Sequence, residues 1–250
     1  MTISVLRALL RDLPIDWCVS DVYVGANWLL SLLTHPDGSQ RAGVATAPLQ
    51  IDAGSPYQIG HYRMDEDACV IARLLLSDDP AAAGIGLATI NALNQPEEGA
   101  FVLADAANWL TERCQDRNVA IFGRFPFIDA EVRPFARQVW VFEQQPHPDE
   151  FDSSAISVVL PQAELVAVTG SALVNHSIDL ILPQIKPEST VILLGPSTPL
   201  SPQLFDCGID AMFGVRVIDL TSLIDSVVNG AGFQKIHGLQ RVALIKPTMS

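Results

Sequence analysis

The chain is short of basic residues: 15 Lys and Arg stand against 28 Asp and Glu, giving a formal net charge of −13 and a pI near 4.6. That balance repels a phosphate backbone and argues against non-specific nucleic-acid binding. It also leaves no basic patch for a membrane surface. A solvated acidic surface that keeps the chain dispersed is the simplest reading of it. Cysteine is scarce too. Cys18, Cys69, Cys114 and Cys207 are widely separated, with no CxxC spacing. This excludes a thiolate zinc motif and a disulfide framework, and reads as buried thiols in a reducing compartment. The histidines, His35, His61, His147, His176 and His237, lack HxxxH or HxH spacing, so no histidine metal motif is present. No apolar run reaches the roughly 18 residues that a membrane span needs. The amphipathic start, interrupted by Arg7 and Arg11, reads as a first helix ending near Leu13 and Pro14, not as a signal peptide. The expectation is a soluble, cytoplasmic protein. There is no GxGxxG, no GxxxxGK[ST] and no GxSxG, which disfavours a standard dinucleotide site, a P-loop and a nucleophile elbow.

What is present is apolar sequence cut into short runs. Hydrophobic residues make up 49% of 250 residues and charged residues 17%, enough to bury a substantial core in one large domain or two small ones. Residues 17–24, 28–34 and 41–46 read as a small antiparallel meander, with the turn signal His35-Pro36-Asp37-Gly38-Ser39 between the last two. Residues 47–64, with Pro48, Gly54, Pro56 and Gly60, read as a long loop. Helices are expected over 65–76 and 81–93, and Gln95 to Gly99 is the best boundary. The second half then alternates. Helices are expected over 104–115, 128–135, 154–160, 201–205 and 220–228. Strands are expected over 118–122, 138–142, 165–168, 190–194, 210–213 and 241–245. This β-then-α rhythm predicts an α/β protein. A small α+β domain (residues 1–96) precedes a mainly parallel, doubly wound sheet domain (residues 97–250).

The stretch that organises the second half runs from Glu164 to Asn175. A buried strand breaks at Thr169-Gly170-Ser171 and is expected to continue as a helix through residue 182. Gly170 permits a sharp turn, and Ser171 is placed to cap the helix. The helix amides would then make a small anion site, with Ser171 and Asn175 on one face. Two other strand ends carry glycine: Gly123-Arg124-Phe125-Pro126 and Gly195-Pro196-Ser197. A further strand ends in Glu143. Ligands of open parallel sheets bind beyond the carboxyl ends of the strands, so these ends would line one crevice. Glu143 would contact a hydroxyl or a metal. Arg124 would pair with an anionic ligand or with Glu143. His147, Asp149 and Glu150 share an exposed polar loop nearby.

Together these segments resemble a known two-domain family of unknown function that carries a heavy-metal chelation label. The likeness spans nearly the whole chain. It rests on Asp21-Val22-Tyr23-Val24-Gly25, Gly43-Val44-Ala45 and Asn91-Ala92-Leu93 in the first half. In the second half it rests on Gly123 to Pro126, Leu160 to Glu164, Thr169 to Asn175 and Leu194 to Leu200. The resemblance implies an enolase N-terminal-like first domain, a Rossmann-like second domain and a site in the cleft between them. It implies that Gly25 and Asn91 face the same cleft as Gly123, Thr169, Ser171, Asn175 and Ser197, and that the ligand is a divalent or heavy-metal ion or its chelate. The matched motifs are rich in Gly, Ser, Thr and Asn, not His, Cys or Asp, which suits a small polar or phosphorylated ligand equally well. Three readings follow from residues and resemblance together: a metal or metal-chelate binder, an enzyme on a small phosphorylated or nucleotide-like metabolite, and a structural or interaction protein. Homodimerisation is compatible with each.

Overall fold

The computed structural model describes residues 4–247. Two sheets carry the chain, one antiparallel with four strands and one mostly parallel with six. The expected first helix is a single turn, α1 (Val5–Leu9), and residues 1–3 of that expectation lie outside the described residues. It closes at Leu10, and the segment after it turns through Asp12 and Asp16, which adopt left-handed backbone angles (φ 54° and 69°). Strands β1 (Cys18–Val24), β2 (Trp28–Thr34) and β3 (Gln40–Thr46) form the meander.

A fourth strand corrects the expected loop and helix. β4 (Gly60–Asp67) pairs antiparallel with β1, so residues 60–64 are not loop and residues 65–67 are not helix. The helical part starts only at α2 (Ala68–Ala72), where the Asp67 carboxylate accepts from the amides of Cys69 and Val70. It ends in a 3₁₀ turn over Arg73–Leu76. β4 is an edge strand, mostly exposed, so it lacks the apolar alternation that marks a half-buried strand. α3 (Pro80–Leu93) has Asp79 as its cap and proline in its first turn, and nearly every residue is buried. A helix apolar all round must be enclosed. It lies on one face of the first sheet, where Thr89 and the buried Ser31 of β2 share a hydrogen bond of 2.8 Å.

The second sheet has the order β10-β9-β8-β7-β5-β6. Its strands are β5 (Asn118–Phe122), β6 (Gln138–Phe142), β7 (Leu165–Thr169), β8 (Thr190–Leu194), β9 (Ala211–Val217) and β10 (Leu239–Ile245). All neighbours are parallel except β9 and β10. One face carries Val119, Ile121, Leu165, Ala167 and Ile192 under α4 (Ala106–Arg113) and the π turn Ile128–Val132, which replaces the helix expected over 128–135. The other face carries Ala120, Phe122, Val166, Val168 and Leu193. It packs into one continuous apolar cluster with α5 (Ile156–Val159), α6 (Ile178–Ile181) and the helices of the first half. Strands buried on both faces read as unbroken apolar runs, the signature of a parallel sheet.

The two halves are joined by packing as well as by chain. The second face of the first sheet presents Trp28, Leu30, Leu32 and Val44. It is covered by Leu223 and Val227 of α7 (Leu220–Val228), with Val215 and Leu239 beside them. Hydrogen bonds stitch the same contact. Trp28 Nε1 donates to Ala231 O (2.7 Å), Asn27 to Gly230 O (2.9 Å), and Val217 N to Gln95 Oε1 (3.0 Å). At the other end Asp179 accepts from Ser4 Oγ (2.5 Å) and Val5 N (2.8 Å).

Candidate functional site

From β5 the chain steps outward to β6 and then returns across β5 to β7, β8 and β9. Strand order therefore reverses between β5 and β7. That is where connections leave on opposite faces of a parallel sheet and open a crevice at the strand carboxyl ends. Gly123 follows β5 there with φ 111°, a backbone state that a side chain strains. A Cβ on Gly123 would lie 3.0 Å from the Thr169 Cβ and 3.2 Å from Phe125 Cε2. So Gly123, Phe125 and Thr169 meet at the reversal. Phe125 is half-buried and stacks on Phe127, with ring centres 5.5 Å apart and planes 22° apart.

The next strand end is joined to this one. Gly170 follows Thr169, and a Cβ on it would lie 2.6 Å from Ser197 C and Thr198 N. The loop after β8 thus presses on the loop after β7. Ser197 is buried, and its Oγ accepts from Thr46 N at 2.9 Å and lies 3.0 Å from Thr46 Oγ1. Thr46 ends β3, so this contact docks the first sheet onto the crevice rim. Ser197 ties the loop after β8 to the first sheet in this arrangement, and its hydroxyl is already engaged.

Several expected groups are placed differently from the sequence reading. The helix expected after Thr169 is a 3₁₀ turn, Gly170–Leu173, with Thr169 as its cap: Ser171 N donates to Thr169 Oγ1 at 3.3 Å. It stops because Asn175 forms a side-chain turn with Ser177 and His176 takes φ 59°. A turn this short has no helix dipole to offer an anion. The amides of Gly123 and Gly195 do not face a ligand either. They donate to Phe142 O and Phe213 O, each at 3.0 Å, extending the sheet. Asn175 is exposed, with its Oδ1 committed to Ser177. Gly25 packs against the carbonyl of Val227 on α7. Asn91 is buried on α3 and donates from Nδ2 to Val44 O at 2.8 Å. That bond fixes the amide orientation and leaves its Oδ1 without a partner, as is Thr198 Oγ1 on the facing loop. Pro196 and Gly195 complete the β8 end, half-buried.

Charge at the crevice mouth is self-contained. Arg124 donates to both oxygens of Glu150, Nε to Oε1 at 2.8 Å and Nη2 to Oε2 at 2.5 Å. This two-pronged bond holds the Glu150 carboxyl down at about 2, with help from the His147 amide. The same pair pushes the Arg124 guanidinium up. Arg124 was expected to meet a ligand or Glu143; Glu150 is its partner. The sequence marks Glu150 only as part of an exposed polar loop and Thr198 only as part of the Leu194–Leu200 motif, and nothing in it singles out Thr46. Glu143 remains at the β6 end, half-buried, its amide bonded to Phe151 O and its carboxylate without a hydrogen bond among the described residues.

Residues 105–246 match a family described as "Putative heavy-metal chelation", DUF364, and residues 6–94 match a companion segment, DUF4213, with the same description. The first match alone spans more than half of the chain. The chain belongs to the DUF364 family. A solved DUF364 protein of unknown function from Desulfitobacterium hafniense superposes with a TM-score of 0.81 at 21% identity, over 97% of each chain. Another from Pyrococcus horikoshii gives 0.81 at 18% identity, over 98% of this chain and 100% of that one. At such identities the likeness establishes the fold. An uncharacterized protein of Methanocaldococcus jannaschii is 29% identical over 146 residues, 56% of this chain. The chain spans about half the length of that relative (54%).

The family description implies a metal, and the donor set of this DUF364 chain does not fit a free heavy-metal ion. Among the described residues no group of three or more His, Cys, Asp or Glu is gathered. Soft ions prefer thiolates. The four thiols are separate, and burial pushes those of Cys69, Cys114 and Cys207 up, toward the protonated form. Cys18, expected to be buried, is exposed at the start of β1. No helix among the described residues is long and apolar enough to cross a membrane.

Proposed function

We propose that this DUF364 chain binds a small polar molecule in the crevice between its domains, and that any metal arrives as that molecule's chelate. The reading divides the chain into domains at 1–96 and 97–250. The observation that carries it is the reversal of strand order between β5 and β7, where the side-chain-free Gly123 lies directly beside the half-buried Thr169 side chain. The chelate form follows from the donors. Thr169, Ser171 and Glu143 offer a few oxygens, too few to strip a metal ion of its own ligands but enough to orient a molecule that holds one. The anion cradle that the sequence suggested at the Gly123 and Gly195 amides loses support, because those amides serve the sheet and Arg124 is held by Glu150.

A thermal-shift series on metal-stripped protein tests this, with zinc, nickel, ferric citrate and inorganic phosphate as probes, in wild type and Thr169→Val. A ligand at about a hundred times its Kd adds roughly 2.7 kcal/mol. For a chain of this size that is on the order of 5–10 °C. The expected pattern is a shift with ferric citrate, none with the bare ions, and its reduction in Thr169→Val. Equal shifts in wild type and variant would refute the placement.

A further inference from the structure

We infer that the chain carries a second binding site, and that it takes a free α-amino acid in its zwitterionic form. The site is the open cavity between α7 and the loop that leads to β10. Asp225, Lys235 and His237 are the residues that read the ligand's two charges. The cavity shares no residue with the crevice, so the inference does not rest on the reading above.

Helical spacing puts Ser222, Asp225, Ser226 and Asn229 on one face of α7, a different face from Leu223 and Val227, which cover the first sheet. With Lys235 and His237 of the loop they line a cavity of about 360 Å³, a volume in the range of small-molecule sites. Its wall is fixed from behind. Ser226 Oγ donates to Ser222 O (2.8 Å) and accepts from His237 N (3.0 Å), and Ala231 N donates to Ser226 O (2.9 Å), so the loop is pinned to the helix. Asn229 Nδ2 donates to Asp225 O (2.8 Å), and Ser222 Oγ donates to Asp219 Oδ2 (2.7 Å). These bonds occupy the donors of the helix face and leave Asn229 Oδ1 and the Asp225 carboxylate as acceptors. The loop supplies donors, the Lys235 ammonium and a ring N–H of His237. None of these four groups makes an ion pair or a side-chain hydrogen bond among the described residues. Opposite charges therefore line one cavity without meeting each other. A bare metal ion would find a single carboxylate there and an ammonium that repels it. A simple anion would face Asp225. A molecule carrying both charges satisfies every group: its ammonium donates to Asp225 and Asn229 Oδ1, and its carboxylate accepts from Lys235 and His237. A free α-amino acid is the compact molecule of that kind, and a cavity of this volume leaves room for its side chain.

The test is calorimetric titration of the full chain with L-glutamine, N-acetyl-L-glutamine and L-glutaminamide. The second lacks the ammonium and the third the carboxylate. L-Glutamine is expected to bind more tightly than either capped form by about two- to fivefold, the range of exposed ion pairs. Asp225→Asn should erase the preference over the N-acetyl form, and Lys235→Gln the preference over the amide. Both side chains are exposed, so the variants should keep the wild-type circular dichroism and melting temperature. Added salt should weaken L-glutamine binding in wild type. Failure of L-glutamine to bind at millimolar concentration, equal binding of the three compounds, or a preference that survives in either variant overturns the inference. Inorganic phosphate binding as tightly as L-glutamine also overturns it, because the cavity would then be a plain anion site.

Discussion

Three glycines separate two costs that a glycine-to-alanine change usually mixes. At Gly170 the backbone lies in the ordinary region, and an added Cβ would sit 2.6 Å from Ser197 C and Thr198 N and 2.9 Å from Thr198 Oγ1. Two of those neighbours are main chain and cannot swing aside, so the loop after β8 must shift as a unit. Overpacking of this kind costs about 1–3 kcal/mol. At Gly195 the reverse holds: φ is 106° and nothing lies within 4 Å of the added carbon. Its cost is backbone strain alone, about 1–3 kcal/mol. Gly232 has an ordinary φ and open space, so alanine there should be neutral or stabilise by about 0.4–1 kcal/mol. Urea denaturation of the three variants gives the comparison. A second readout isolates the mechanism. Shifting the β8 loop moves Ser197, which ties to Thr46. Ser197→Ala alone should cost about 1 kcal/mol, a typical net hydrogen bond. In the Gly170→Ala background it should cost clearly less, because the bond is already disturbed. Strict additivity, or a Gly170→Ala variant as stable as Gly232→Ala, would refute the idea that the two loops press on each other.

Thr198 Oγ1 is buried without a partner, so Thr198→Val replaces an unpaired hydroxyl by a methyl of the same shape; stability in urea should stay level or rise by up to about 1 kcal/mol. The Glu150 carboxyl is lowered from 4.5 to about 2 by Arg124. Its folded state therefore binds fewer protons than its unfolded state, and the pair's contribution is full above about pH 4.5 and lost as pH falls through about 2. Acid unfolding followed by circular dichroism should show a shallower acid limb in Glu150→Gln than in wild type.

The fold was legible where both faces of an element are buried. β5, β6 and β8 stand where their apolar runs put them, and so does α7, whose apolar residues recur at helical spacing. β4 was hidden because Gly60–Asp67 is an edge strand whose polar residues answer to solvent; only its pairing with β1 makes it a strand. The stop after Leu173 was hidden for another reason. Asn175 and His176 end the turn through a local hydrogen bond and a left-handed backbone state that apolar spacing does not encode. At the candidate site, the sequence marked the strand ends that carry glycine but not the tasks of those glycines. Gly123 and Gly195 turn the chain while their amides extend the sheet, and Gly170 lets one loop touch another. Whether an amide is free depends on its neighbours in the sheet, and those are set by topology. Partners such as Thr46 for Ser197, or Glu150 for Arg124, are products of the same docking.

The strand β2 has apolar residues on both sides, Leu29 and Leu33 toward α3 and Trp28, Leu30 and Leu32 toward α7. Many two-domain binders work as jaws that close on their cargo. Here opening the jaw would bare Trp28, Leu30, Leu32 and Val44 together, at about 1.5–3 kcal/mol for each large side chain. The crevice is in that sense a mould cast between two fused blocks. Whatever enters it does so past loops and side chains at its rim, with the blocks themselves standing still.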